Sequence, residues 1–161
     1  MTIRSRIELP ELEYNAVLCR YSEIGLKGRN RVGFERRLAC NLKRALRDLR
    51  PFRVVREKGR IFLVGEEKQG LRPGTRTLLD AAVPKIFGLS SVSPGFLVDP
   101  TVARIEETVF GTFDAVYRAV TEALPADAPI RYAMRARRST QSFPLTSRDL
   151  EILFADRLLP E

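Results

Sequence analysis

A chain of 161 residues, 44% hydrophobic and 30% charged, is long enough to bury a core without disulfides or metals. It has no histidine and only two cysteines, Cys19 and Cys40, which excludes Ser-His-Asp triads, Cys-His pairs, CxxC zinc sites and a disulfide scaffold. The net charge of +8 is uneven: residues 1–60 hold 16 Lys+Arg against 7 Asp+Glu (net +9), and residues 61–161 hold 12 against 13 (net −1). Both cysteines sit in apolar-periodic segments and are expected as buried free thiols in a reducing cytoplasm. Met1 to Glu13 is mixed charge and does not read as a signal peptide. No apolar run approaches the roughly 20 residues of a spanning helix, so no membrane partner is expected.

Residues 15–22 read as a short strand followed by a glycine-containing loop. A helix is predicted over 31–49, with Asn30 as N-cap and an apolar stripe of Phe34, Leu38, Leu42, Ala45 and Leu49. Arg36, Arg37, Lys43, Arg44 and Arg47 fall mostly off that stripe. Residues 52–57 and 60–64 predict a hairpin turning at Lys58-Gly59. The polar stretch 65–73 reads as a linker. A helix over 75–87 is expected to break at Pro84 and stop at Gly88. A strand over 91–98 contains Pro94, which suggests an edge or a bulge.

Asp99-Pro100-Thr101 opens a long helix to Leu124. Residues 99–128 hold 2 Lys+Arg against 6 Asp+Glu, net −4, which disfavours a nucleic-acid surface there. In residues 130–137, Ile130, Tyr132 and Met134 alternate with Arg131, Ala133 and Arg135, which predicts a strand with one apolar and one basic face. A loop over 138–146 and a helix over 147–159 end the chain. The helix face of Leu150, Leu153, Phe154 and Leu158 needs a partner, and a further strand is expected beyond it. Interspersed elements of this kind make an α+β chain, a β-α-β-β unit over residues 1–70 followed by an α/β domain over 71–161.

Two segments can grip a polyanion. The loop Gly25-Leu26-Lys27-Gly28-Arg29-Asn30-Arg31 joins a strand to a helix, so backbone N–H groups, the helix N-terminus and Lys27, Arg29 and Arg31 converge. From this spacing alone an ordinary strand-to-helix turn with solvated arginines is the better reading. The second segment is Arg135-Ala136-Arg137-Arg138-Ser139-Thr140-Gln141-Ser142-Phe143-Pro144. Its arginines can take phosphates bidentately, and Ser139 and Gln141 can bond sugars or base edges. Phe143 either stacks on an unpaired base or plugs the core and anchors the loop. Four arginines and no acid over 131–138 concentrate like charge in a way that calls for a partner. No GxxxxGK[ST], GxGxxG or Ser-Gly-Gly-x-Asp-Ser loop is present. A small phosphate-ester hydrolase lacks the histidines and carboxylate cluster it would need.

The stretch VLCRYSEIGLKGRNRVGFERRL resembles the opening of the tRNA 4-thiouridine synthetase family, the sulfurtransferases also tied to thiamine thiazole synthesis. Arg20, Tyr21, Glu23, Ile24, Leu26, Lys27, Gly28, Asn30, Arg31 and Phe34 fit its pattern. Ile86-Phe87-Gly88-Leu89 to Ser93-Pro94, and Arg137-Arg138-Ser139 with Phe143-Pro144, resemble later segments of the same family in the right order. The resemblance implies an N-terminal ferredoxin-like domain and a THUMP RNA-binding domain whose last strands are missing. It implies tRNA as partner, held at the acceptor 3′ end, for formation of 4-thiouridine at position 8. It places ATP in a catalytic domain absent from this chain, makes a cysteine desulfurase the sulfur donor to the whole enzyme, and allows a homodimer. The chain alone is not expected to be an enzyme, and no cofactor or metal is expected in it. A THUMP module fused to another RNA-modifying enzyme, such as a methyltransferase, is the alternative; the match at Lys27 to Arg31 favours the synthetase.

Overall fold

The computed structural model describes residues 10, 12–21, 31–49, 51–57, 60–66, 70–130, 132–138 and 140–158. The chain divides into two compact units, the first spanning residues 11–97 and the second residues 98–161 together with Pro10. The first unit contains strand β1 (Ala16–Arg20), helix α1 (Arg31–Ala45), strands β2 (Phe52–Glu57) and β3 (Arg60–Gly65), helix α2 (Thr75–Ala82) and strand β4 (Ser91–Gly95). The strands form one antiparallel sheet in the order β2-β3-β1-β4. This β-α-β-β-α-β path with β1 and β3 central is the ferredoxin-like arrangement.

The expected boundary near residue 70 is therefore displaced. Strand β4 pairs with β1 in register from Ala16 opposite Gly95 to Arg20 opposite Ser91. The presumed linker is itself docked, because Leu71 is buried and its N–H donates to the Tyr14 carbonyl at 2.6 Å. Strand β4 is shorter than expected. Past Gly95 its ladder gives way to a side chain: Leu97 N–H donates to Asn15 Oδ1 at 2.6 Å, and Asn15 Nδ2 donates to Leu97 O at 3.1 Å. Pro94, which has no N–H to give a ladder, is tolerated because β4 is an edge strand.

One face of the sheet is closed by the helices. Val17, Cys19, Ile61 and Leu63 from the central strands pack with Leu38 and Leu42 of α1, with Leu46 just past its end, and with Leu79 of α2. The α1 stripe differs from the expected one. Leu46 is buried in place of Ala45, since 38, 42 and 46 keep an i, i+4 row, and a 3-10 turn over Arg47–Leu49 then brings Leu49 inward. Phe34 is 39% exposed. Arg36, Arg37, Lys43, Arg44 and Arg47 are exposed, so the helix displays the charge excess of the front of the chain. Register across Glu57 and Arg60 matches the predicted hairpin; its turn residues Lys58 and Gly59, like Asn30, lie outside the described residues. Helix α2 ends at Ala82 in a 3-10 turn containing Pro84, and Gly88 follows at φ 94°, where a side chain would be strained.

The second unit contains α3 (Val102–Ala123) and α4 (Ser147–Leu158). Thr101 caps α3 by accepting from the Arg104 N–H at 3.3 Å. Leu150, Phe154 and Leu158 of α4 are buried against half-buried Ile105, Val109, Phe110 and Phe113 of α3 and Met134, Ala136, Phe143 and Leu145. Residues 132–138 form no strand. The four strands of the only sheet among the described residues all belong to the first unit, so no ladder partner is available to them. The alternation survives without the ladder, with Met134 and Ala136 half-buried and Arg135 and Arg137 exposed.

The two cysteines differ, against the expectation that both are buried. Cys19 is fully buried in the sheet, and burial pushes its thiol up to about 12. Cys40 is exposed on α1. A thiol reagent at neutral pH should therefore modify one cysteine promptly and Cys19 only on unfolding. Leu42→Ala should cost about 2–5 kcal/mol, the usual range for a buried leucine, and speed modification of Cys19. Equal rates at both thiols in the parent chain would contradict this packing.

Candidate nucleic-acid interface

The basic segment 132–138 is held by α4 in place of a neighbouring strand. Its Ala136 N–H donates to Glu151 Oε1 at 2.9 Å, and its Arg138 N–H donates to Ser147 Oγ at 2.9 Å. Tyr132 Oη donates to the Ala155 carbonyl at 2.9 Å. The first two contacts satisfy backbone N–H groups that a ladder would otherwise take, and the third ties the tyrosine hydroxyl to α4. With inner residues fastened to α4, Arg135 and Arg137 are left on the exposed side.

The following loop is closed by its own groups. Arg138 reaches the carbonyls of Phe143 (3.5 Å) and Leu145 (3.4 Å) through Nη1. Ser142 N–H donates to Thr140 Oγ1 at 3.0 Å, a turn built on a hydroxyl. Phe143 is half-buried in the α3–α4 cluster, so of its two sequence readings the packing is that of the anchor. Gln141 is exposed at the loop tip. Ser139, Lys27 and Arg29 lie outside the described residues, as does the side chain of Arg31, which opens α1. The structure thus brings Arg135, Arg137, Arg138, Gln141 and Phe143 into one segment, with Arg138 tied into the loop and Arg135 and Arg137 displayed.

The sequence reading missed the residues that position this segment. Ser147 and Glu151 lie one turn apart on α4, and their spacing of four was the available signal. Thr146 and Asp149 cap the same helix. Thr146 N–H donates to Asp149 Oδ2 at 2.9 Å, and Asp149 N–H donates to Thr146 Oγ1 at 3.2 Å, a reciprocal capping pair with aspartate in the acidic position. The Thr146 backbone hydrogen bond, then its side-chain one, hold the Asp149 carboxyl below its usual range, with Arg138 and Arg148 adding to the effect. Acidic charge on α3 is partly consumed locally, through ion pairs of Glu106 with Arg157 and Glu107 with Arg104. Among the described residues, no cluster of three or more His, Cys, Asp or Glu could hold a metal ion. No described helix is long and apolar enough to cross a membrane.

Residues 16–93 match the ThiI ferredoxin-like domain family. The match ends inside β4, which agrees with the first unit's sheet rather than with a boundary near residue 70. Similarity extends past the ThiI ferredoxin-like domain. A probable tRNA sulfurtransferase of Streptococcus suis is 27% identical over 147 residues, 90% of this chain and 32% of that protein. A Listeria monocytogenes counterpart is 31% identical over 139 residues, 86% of this chain and 31% of its own length. The crystal structure of a 4-thiouridine synthetase–RNA complex with bound ATP superposes with a TM-score of 0.62 at 26% identity, covering 91% of this chain and 33% of that one. A solved Pyrococcus horikoshii protein gives a TM-score of 0.67 at 26% identity, covering 89% and 44%. The chain spans about a third of the length of the curated relatives it matches, in their N-terminal part.

The Asp149 cap has a testable pH signature. A carboxyl with a depressed folded value stabilises above its unfolded value, about 3.9 for aspartate, and the contribution is lost as pH falls through the folded value. The Thr146 amide resonance should therefore shift with a midpoint below that of free aspartate. Asp149→Asn should abolish the step, and a midpoint at or above the free value would rule out the cap.

Proposed function

We propose that this chain is the tRNA-binding N-terminal portion of a tRNA sulfurtransferase that makes 4-thiouridine at position 8 of tRNA. In this reading the second unit is the THUMP domain, and the Arg135–Phe143 segment engages the acceptor 3′ end. The observation that carries it is the exposed pair Arg135 and Arg137 on a segment fastened to α4, in a chain matching the N-terminal part of proteins of that name. A solved 4-thiouridine synthetase similar to this chain is a complex with RNA, which supports this reading. Gln141 and Ser139 bond sugar or base edges, and Lys27, Arg29 and Arg31 meet backbone phosphates on the first unit. Phe143 and Arg138 hold the loop that presents them.

ATP does not fit the residues present. Adenylation needs a loop of backbone N–H groups around the pyrophosphate, and no Ser-Gly-Gly-x-Asp-Ser sequence occurs here. The sulfur-transfer chemistry, the cysteine desulfurase that feeds it, the homodimer and the thiamine branch belong to the whole enzyme, working in the cytoplasm. Cys19, buried with a raised thiol pKa, is a poor sulfur carrier for it.

Binding of tRNA should weaken steeply with salt, because each neutralised phosphate releases condensed counterions. Arg135→Ala with Arg137→Ala should lower affinity and reduce the salt slope by about one per lost phosphate contact. Arg138→Ala should also loosen the 140–145 loop, seen as faster amide exchange there, whereas Arg137→Ala should not. Salt-independent tRNA binding, or an unchanged slope in the double variant, would refute the assignment.

A further inference from the structure

The helix-free face of the first unit's sheet is unlike the face closed by α1 and α2. Alternation along the strands puts Leu18, Val55 and Phe62 on it, and the register lines them up, with Val55 opposite Phe62 and Phe62 opposite Leu18. All three are half-buried, and neither hydrophobic cluster of the described residues includes them. The row on one side is basic, with Arg60 paired to Arg20 across β3 and β1; in the row on the other side, exposed Arg53 stands beside buried Val64 and Ala16. Glu57, opposite Arg60, is the one acid on the described strands of this face, so three arginines less one glutamate leave a net +2. Arg20 Nη1 donates to Ser93 Oγ at 2.8 Å, which lays its guanidinium along the sheet surface.

An apolar strip centred on one ring and bordered by guanidinium groups complements an unpaired nucleotide segment. A base covers the ring, and the phosphates on either side meet the arginines. A duplex keeps its bases stacked inside and cannot use the ring. An apolar protein surface would have to desolvate the three arginines without repayment. We propose that this face is a second RNA-binding surface, taking an unpaired segment with one base on Phe62 and flanking phosphates on Arg20, Arg60 and Arg53. The proposal deepens the tRNA-binding reading and rests on it, but it uses no residue of the Arg135–Phe143 segment.

The test is fluorescence anisotropy of the full 161-residue chain with a labelled, unstructured oligoribonucleotide of about ten nucleotides, a length within the usual span of such surfaces. Phe62→Ala should weaken binding roughly tenfold, the order expected for one lost base stack. Phe62→Tyr, which keeps the ring, should bind as the parent does. Arg20→Glu with Arg60→Glu should weaken binding at least as much and flatten its salt dependence. Protection of Cys19 from thiol reagents reports whether each variant is folded; if Phe62→Ala is not, the arginine pair and the tyrosine variant decide. In an Arg135→Glu, Arg137→Glu background, residual binding should remain and disappear on adding the sheet substitutions. Sheet variants that bind like the parent, while the Arg135 and Arg137 reversals abolish binding, would overturn this proposal and leave the tRNA reading standing. Failure of the parent chain to bind any RNA would overturn both.

Discussion

Everything in the first unit depends on the pairing of β1 on both of its edges. A five-residue strand from Ala16 to Arg20 exchanges backbone hydrogen bonds with β3 on one side and β4 on the other. Its position between them makes Val17 and Cys19 fully buried, because a central strand under a helical layer has no route to solvent on that face. The same double pairing carries the chain past the polar stretch after β3, through α2 and back to the sheet, so that residues 71–97 belong to the front of the molecule. Asn15, just before β1, extends this hold by bonding both backbone groups of Leu97. A side-chain amide has the donor and acceptor of a peptide unit, and here it continues the pairing where the strand has ended.

The second unit meets a similar demand by a different route. Residues 132–138 have the alternating pattern of a strand, and their N–H groups need partners whether or not a strand is nearby. An unmade bond to a buried N–H costs about 1–3 kcal/mol, so Glu151 and Ser147 of α4 accept from Ala136 and Arg138 instead. That solution has a consequence for charge. A carboxylate spent on a backbone N–H is less able to neutralise the neighbouring arginines, and Arg135 and Arg137 stay exposed as cations. The helix that orders the segment thus also keeps its basic edge available.

Much of the first unit was legible because its signals are local. Lys58-Gly59 between two alternating runs is enough to infer the Glu57–Arg60 register, and Pro84 and Gly88 act on the backbone at their own positions. The errors arose where a residue's state is set by something distant. Ala45 and Leu46 both suit a helix interior, and which one is buried depends on the 3-10 turn that follows. Cys40 looks like Cys19 in sequence but lies on the side of α1 away from the sheet. The polar stretch 65–73 reads as a linker until Leu71 is seen docked beneath Tyr14. Alternation over 130–137 correctly separated the faces, yet alternation describes side chains and says nothing of which element will accept the backbone hydrogen bonds. The arginines of the candidate interface were visible as a charge cluster. The capping pair and the Glu151 and Ser147 contacts that position them were not, since each needs the loop and helix already folded together.

The distribution of arginine between displayed and structural roles decides what the basic surfaces can do. Arg138 points into its loop to bond two carbonyls, and Arg157 lies over the Phe110 ring and pairs with Glu106. Such arginines are engaged already and have less to gain from a phosphate. Among the described residues, Arg135, Arg137 and the exposed cations of α1 and of the 3-10 turn after it make no hydrogen bond or ion pair as strong as a phosphate would give; even Arg44 and Arg47 make only a 3.2 Å contact to Asn41 and a 3.9 Å approach to Asp48. Counterion release rewards cations in proportion to the phosphates they neutralise, wherever on the protein they lie. Net charge alone therefore overstates the affinity of this chain for a polyanion. The count that sets the salt dependence is of arginines and lysines not already bonded within the fold, and the polar supports under Arg135 and Arg137 serve to keep them in that count.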